Sequence, residues 1–130
     1  MQAENARLQP WLSVLIPVYN VRAYLGECVA SIMEQIDDGV EVLLLDDAST
    51  DGSLALVEAL RERWPASIRV LRHSRNGGIG AARNALLDAC RGEYVWFIDA
   101  DDKLLPHVVK QLRAVVQASR PDLVLCDFRV

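Results

Sequence analysis

The fold of this chain is constrained most by the regular alternation of short apolar runs with amphipathic segments. Apolar runs of strand length occupy residues 13–18, 40–47, 67–73, 93–99 and 123–130. Apolar residues recur at helical spacing between them, in segments 21–36, 54–64, 79–90 and 105–116. The resulting order, βαβαβαβαβ, predicts an α/β fold with a doubly wound, mostly parallel sheet and helices on both of its faces.

Length and charge describe an ordinary globular domain. The 130 residues suffice for one domain, which we divide into a polar tail at residues 1–10 and a folded part at residues 11–130. The net charge of -4 argues against a nucleic-acid-binding protein, because a basic surface supplies most of the affinity in that class.

The three cysteines indicate the compartment rather than a metal site. Cys28, Cys90 and Cys126 are far apart, and no Cys-x-x-Cys pair accompanies them. Each lies among apolar residues, which predicts buried free thiols and a reducing compartment. The polar residues 1–10 do not resemble a signal peptide, and no apolar run approaches the roughly 20 residues of a membrane span. We therefore expect a cytoplasmic protein.

Polar residues concentrate where the predicted strands end. In open α/β sheets, ligands bind outside the carboxyl ends of the strands. The first four strands are followed there, respectively, by Tyr19 and Asn20, by Asp46, Asp47, Ser49 and Asp51, by Asn76, Gly77 and Gly78, and by Asp99, Asp101 and Asp102. The sequence therefore predicts a ligand site along this edge of the sheet.

The segment "FIDADD" at residues 97–102 predicts a cation site. Asp99, Asp101 and Asp102 lie too close together to remain ionised without help, and a hard divalent cation relieves that repulsion. Mg²⁺ or Mn²⁺, with phosphate oxygens completing the coordination shell, is typical of a nucleotide ligand. As an alternative, Asp101 or Asp102 caps the helix that follows.

The segment "NGGIGAARN" at residues 76–84 resembles a dinucleotide-binding fingerprint and raises a second possibility, an NAD(P)-binding Rossmann domain of an oxidoreductase. The match is poor because Arg83 occupies the position of the third glycine and the acids after the next strand form a cluster. We instead expect Gly78 to let the backbone approach a phosphate at a helix start, with Arg83 as a bidentate donor to it.

The segment "LLLDD" at residues 43–47 raises a third possibility, a phosphoacceptor receiver domain. That module needs its acidic pair on the first strand and a lysine after the fifth. Here Asp46 and Asp47 lie on the second strand, and residues 123–130 contain no lysine.

The motifs "SVLIPVYN", "LLLDDASTDGS", "NGGIGAARN" and "FIDADD", taken in this order, resemble the inverting GT-A glycosyltransferases of family 2, which includes the cellulose, chitin and hyaluronan synthases. The resemblance covers Trp11 to Val130 and implies a GT-A fold truncated after the fifth strand.

The resemblance also implies a role for each matching residue. Asp46 resembles the carboxylate that hydrogen-bonds uracil, and Asp47 belongs to the same acidic loop. Gly78 and Arg83 resemble the loop and arginine near the ribose and diphosphate. Pro17, Val18 and Tyr19 resemble the strand end that packs on the nucleobase; Asp101, Asp99 and Asp102 resemble the metal ligands, with Asp99 also near the ribose.

The activity implied by the resemblance is transfer of a sugar from a nucleotide-diphosphate sugar, UDP-linked by expectation, to a glycan or lipid-linked acceptor hydroxyl in cell-surface polysaccharide synthesis. We expect the catalytic base to lie C-terminal to Val130, so that this donor-binding part is inactive alone. The full-length protein is then expected at the inner face of the membrane. An unpaired last strand is expected to favour homo-oligomers through the sheet edge. His73, at a strand end, is a weaker candidate for approaching the nucleotide.

Overall fold

The computed structural model describes residues 9–126 and contains a four-stranded parallel sheet with four helices. The strands are β1 (Leu12–Val18), β2 (Val40–Asp47), β3 (Ile68–His73) and β4 (Tyr94–Phe97). The helices are α1 (Arg22–Met33), α2 (Ser53–Arg63), α3 (Gly78–Ala89) and α4 (Val108–Ser119). Strands and helices alternate along the chain, as the apolar pattern predicts.

The strand order β3-β2-β1-β4 creates a switch point between β1 and β4. From β1 the chain moves outward through β2 to β3, then returns through α3 to pair β4 with the other side of β1. Ligands of open α/β sheets bind at such a reversal, outside the carboxyl ends of the strands. The ends of β1 and β4 therefore flank the expected crevice.

Side chains that alternate along β1 and β2 form two apolar cores, one on each face of the sheet. The larger core joins the sheet to α1, α2 and α4 through residues such as Ile16, Leu44, Leu25, Val57 and Val109. The smaller core joins Leu15, Leu43 and Leu45 to Ala82 and Leu86 of α3. Helices thus cover both faces, which confirms the predicted fold class.

The structure differs from the sequence prediction at several element ends. The first helix ends at Met33 rather than at residue 36, and β4 is shorter than the predicted strand at 93–99. No strand forms over residues 123–126, and the rest of the predicted fifth strand, 127–130, lies outside the described residues. Most of the predicted tail, residues 1–8, lies outside them as well.

The burial of the cysteines and the search for membrane-spanning helices can also be compared with the sequence predictions. Cys28 is buried, but Cys90 is only partly buried and Cys126 is exposed, so the expectation that all three are buried is wrong for Cys126. Among residues 9–126, no helix has the length and apolarity needed to cross a bilayer.

Candidate functional site

The end of β4 turns two carboxylates to solvent by an alternation of side chains. Ile98 and Ala100 point into the larger core and are 5% and 3% exposed. Asp99 and Asp101, which alternate with them, are exposed, as is Asp102. The D-x-D spacing follows from this geometry, because the small apolar Ala100 anchors the turn while its neighbours face outward.

Carboxylate oxygens of Asp99, Asp101 and Asp102 all lie within 4.8 Å of one another. Their negative charge is felt by Cys28 behind them, whose thiol lies 3.6 Å from the Asp99 carbonyl oxygen. Burial raises the pKa of Cys28 to about 12, and Asp102, Asp101 and Asp99 add to the rise. Among the described residues, the group that could hold a metal here consists of the three carboxylates, an all-oxygen set of the kind that Mg²⁺ and Mn²⁺ prefer.

The loop that carries this triad is anchored to α1 and to the turn that follows it. Ser31 Oγ accepts a hydrogen bond from Leu104 N at 3.0 Å. Gln35 donates to the Leu105 carbonyl oxygen and accepts from Val109 N, each at 2.9 Å. These bonds fix the chain on the far side of the carboxylates, and the helix periodicity that predicts α1 gives no signal for them.

Arg83 stands beside the triad on the α3 side of the sheet. Its guanidinium lies 5.8 Å from the centre of the Phe97 ring, and its Nη2 is 4.0 Å from Asp99 Oδ1. The Arg83 side chain is 46% exposed, so most of its five donors are free for an incoming anion. The structure therefore brings Arg83 and Asp99 together at the end of β4.

Asp47 lies at the end of β2 on the same side of the sheet and is bonded by its own chain. Its carboxylate accepts from Gly77 N at 2.9 Å and Gly78 N at 3.0 Å, and it pairs with His73 Nδ1 at 2.8 Å. Burial alone would raise the pKa of Asp47, but the bonds from Gly77, His73 and Gly78 outweigh it and hold the pKa below its usual value.

The hydrogen bonds from Gly77 and Gly78 to Asp47 give the glycine segment a structural role. Gly78 has a φ of +87°, which a residue with a side chain rarely adopts. The first amide groups of α3 consequently point at Asp47, which caps the helix from another strand. The contact between His73 and Asp47 is a feature that the sequence pattern did not reveal.

Asp46 points to the opposite face. It is 2% exposed, pairs in register with Val18, and its Oδ2 accepts from Ser49 N at 3.2 Å. Its Oδ1 is buried without a hydrogen-bond partner in the described structure. Of the residues predicted at the base end, Val18 is also fully buried, whereas Tyr19 is 48% exposed. Pro17 pairs with Leu45 and so shares the α3 face with Asp47.

Comparison with protein families identifies the class of this chain. The family described as "Glycosyl transferase family 2" matches residues 13–130. The chain is 34% identical over 119 residues to the uncharacterized glycosyltransferase EpsJ of Bacillus subtilis, covering 92% of this chain and 34% of EpsJ. It is 38% identical over 127 residues to the O-antigen biosynthesis protein RfbC of Myxococcus xanthus, covering 95% of this chain and 10% of RfbC.

Solved structures agree with this relationship. TarS 1–349 of S. aureus in complex with UDP-GlcNAc matches with a TM-score of 0.77 and 33% identity over 84% of this chain and 32% of TarS. The mannosyltransferase PcManGT of Pyrobaculum calidifontis, in complex with GDP-Man and Mn²⁺, matches with a TM-score of 0.74 and 31% identity over 87% of this chain and 33% of that chain. The present chain belongs to glycosyl transferase family 2 and has the GT-A fold, and it spans about a third of the length of the first curated relatives it matches.

Proposed function

We propose that this member of glycosyl transferase family 2 forms the donor-binding part of a metal-dependent, inverting enzyme. It takes a sugar from a nucleotide-diphosphate sugar and delivers it to an acceptor hydroxyl. The observation that carries the proposal is the exposed carboxylate triad at the end of β4, with Arg83 beside it at the switch point of the sheet.

Asp101, Asp99 and Asp102 would hold the metal, in that order of importance. Three exposed carboxylates within 4.8 Å of one another offer more negative charge than Arg83, at 4.0 Å from Asp99, can neutralise. Mn²⁺ or Mg²⁺, when bound, neutralises charge that develops on the departing diphosphate. The Mn²⁺ complex of PcManGT, a related fold, supports this assignment.

Arg83 would bind the diphosphate directly. Its guanidinium is held over Phe97, on the face of the sheet that also carries Asp99, and can donate two parallel hydrogen bonds to a phosphate. The amide groups of Gly77 and Gly78 already donate to Asp47, so the cationic side chain takes the part of phosphate donor in this proposal. Gly78 then serves the site by shaping the loop.

The nucleobase would lie over the ends of β1 and β2, with Tyr19 and Pro17 packing against it. The family resemblance implies Asp46 as the hydrogen-bond acceptor for the base. The faces of the sheet favour Asp47, because Asp47 shares the side that carries Arg83, whereas Asp46 points into the α1 and α2 side. Three donors leave Asp47 with capacity for one more hydrogen bond, so we assign the base to Asp47.

The remaining parts of the proposal concern the whole protein. The attacking hydroxyl of a glycan or lipid-linked acceptor would be deprotonated by a carboxylate C-terminal to Val130, and attack from the side opposite the diphosphate inverts the anomeric carbon. The name of the relative RfbC, an O-antigen biosynthesis protein, supports a role in cell-surface polysaccharide synthesis. We infer a cytoplasmic enzyme, peripheral at the inner face of the membrane in the full-length protein, and homo-oligomers through the edge of the sheet.

The test is calorimetric titration of UDP into this chain with Mn²⁺, with EDTA, and in the Asp101→Ala variant. Asp88→Ala, which removes an exposed carboxylate on α3, is the matched control. We expect binding that needs both Mn²⁺ and Asp101 and that survives in the control. Binding unaffected by EDTA and by Asp101→Ala would contradict the proposal.

Titration with uridine distinguishes Asp46 from Asp47 as the residue that binds the nucleobase. Under our assignment, Asp47→Asn weakens uridine binding in a folded sample and Asp46→Asn leaves it unchanged. The opposite result would return the role to Asp46, as the resemblance implies.

A further inference from the structure

The N-terminus of α1 is held by side chains of another loop. No side chain of the cap residue Val21 or of its neighbours caps this helix. Instead, Arg22 N donates to Asp51 Oδ2 at 3.1 Å, and Val21 N donates to Ser53 Oγ at 3.2 Å. The free amide groups of a helix start need such acceptors, and a carboxylate there also interacts favourably with the helix dipole.

Asp51 is one of these two acceptors and also orients the other, Ser53 Oγ. Its Oδ1 accepts from Ser53 N at 2.9 Å and from Ser53 Oγ at 2.5 Å. Because Ser53 donates its hydroxyl hydrogen to Asp51, the hydroxyl oxygen presents a lone pair to Val21 N. Ser53 is fully buried while Asp51 is exposed, so a surface carboxylate orients a buried cap.

A second pair of bonds joins the same two loops one residue away. Asn20 Oδ1 accepts from Thr50 N at 2.8 Å, and Asn20 N donates to Ser49 Oγ at 3.1 Å. Asn20 itself has a φ of 51°, a left-handed conformation that asparagine tolerates better than most residues. The exit of β1 is thus clasped to the β2–α2 loop at Asn20, Val21 and Arg22.

Tyr19 is the residue that this clasp fixes in place. It lies between the last residue of β1 and Asn20, and its ring is about half exposed beside the strand ends. Hydrogen bonds at the next three residues restrict the backbone from which the Tyr19 side chain extends. The ordering is therefore present before any ligand arrives.

We propose that Asp51 is a positioning residue of the donor site: by capping α1 from the β2–α2 loop, it holds Tyr19 in the orientation that packs against the nucleobase. This proposal rests on the proposed function. It adds that an exposed carboxylate outside the metal triad sets nucleotide affinity without touching the nucleotide.

The experiment is a double-mutant cycle with UDP and Mn²⁺, measured by calorimetry on the 130-residue chain. The variants are Asp51→Ala, Tyr19→Ala and the two together, with Asp88→Ala as the control. We expect Asp51→Ala to weaken binding by about fivefold, a coupling typical of residues that act through one another. The double variant should then bind no more weakly than Tyr19→Ala alone. Amide hydrogen exchange at Val21 and Arg22 should accelerate in Asp51→Ala only.

Two further variants keep the test sharp. Asp51→Asn retains one carbonyl oxygen, so its affinity should lie between those of the wild type and Asp51→Ala. Asn20→Gly keeps the left-handed conformation but loses the acceptor for Thr50 N, and it should reproduce the loss if Asp51→Ala does not fold.

The outcomes separate the two proposals. The positioning role alone would be overturned if Asp51→Ala and Asn20→Gly bind UDP as tightly as the wild type. It would also be overturned if their losses of affinity simply add to that of Tyr19→Ala. No UDP binding by the folded wild type would overturn the proposed function and this inference with it.

Discussion

The two acidic loops of this chain, residues 46–51 after β2 and residues 99–102 after β4, have similar sequences and opposite surroundings. In the first loop the chain itself supplies donors: Asp47 binds Gly77 N, Gly78 N and His73, and Asp51 binds Arg22 N and Ser53. In the second loop, Arg83 at 4.0 Å is the one cation within ion-pair distance of the three carboxylates among residues 9–126, because Lys103 beside them pairs with Glu27 instead. Aspartates of the first loop therefore mainly support the fold, with one acceptor position of Asp47 left for the nucleobase in our proposal, whereas those of the second loop are left open for a metal.

The largest predicted difference between the two loops is in the free energy of unfolding. We expect Asp47→Ala to lower the free energy of unfolding by about 3 kcal/mol, because it leaves two backbone amides and His73 without their buried acceptor. Asp101→Ala should change it by less than about 0.5 kcal/mol, because that carboxylate is exposed. Urea unfolding of both variants checks the contrast, and equal losses would contradict it.

Arg83→Ala tests whether the diphosphate lies at the second loop and the nucleobase at the first. The variant should weaken UDP binding by about tenfold, because charge-assisted hydrogen bonds to phosphate are lost. Uridine has no phosphate, so its affinity should stay within about twofold of the wild-type value. A comparable loss for uridine would mean that Arg83 shapes the base end instead.

Substitution of Asp46 should change the free energy of unfolding less than substitution of Asp47, and in the opposite direction. Its Oδ1 is buried without a partner in the described part of the chain, and Asn at this position removes a buried charge while keeping an acceptor for Ser49 N. We expect Asp46→Asn to leave the free energy of unfolding unchanged or to raise it by about 1 kcal/mol. A loss of 2 kcal/mol or more, about the cost of breaking a satisfied charged pair, would show that Asp46 resembles Asp47.

The smallest predicted effect is a dependence on acid. The pKa of Asp47 lies below its usual value, so its ionised form stabilises the fold above the ordinary aspartate pKa of about 3.9, and that contribution is lost as pH falls through the lowered pKa. Wild type should therefore exceed Asp47→Asn in stability at pH 6. The difference should shrink as pH falls below about 4, because the unfolded chain then binds a proton at Asp47 that the folded chain takes up only at lower pH. A difference constant to pH 2.5 would contradict the lowered pKa.

The sequence predicts the fold well because burial controls its periodicity. The near-continuous apolar run of β2 is what a strand buried on both faces requires, and its bounds, Val40–Asp47, are as predicted. The helix ends are predicted less well, because α1 and α3 are capped by Asp51 and Asp47 from other elements rather than by their own residues.

The site is predicted in part, for the same reason. Sequence spacing locates Asp99, Asp101 and Asp102 together because they are neighbours along the chain. It cannot tell which of Asp46 and Asp47 faces α3, since that depends on register and on a contact with His73 that is 26 residues distant. Glu41 shows the same limit: its carboxylate is buried and bonded to Ser13, Arg69 and Arg91, although the strand reads as apolar.

The most direct test of the contrast between the two loops is titration of Mn²⁺ into the isotopically labelled chain, followed by paramagnetic broadening of amide resonances. Broadening reports distance from the bound ion and needs no nucleotide. We predict that broadening is strongest at residues 99–102 and weaker at 46–51, whose strand lies two strand spacings away, and that Asp101→Ala abolishes both. Broadening that is strongest at residues 46–51, or unchanged broadening in Asp101→Ala, would contradict the assignment of the metal site to the end of β4.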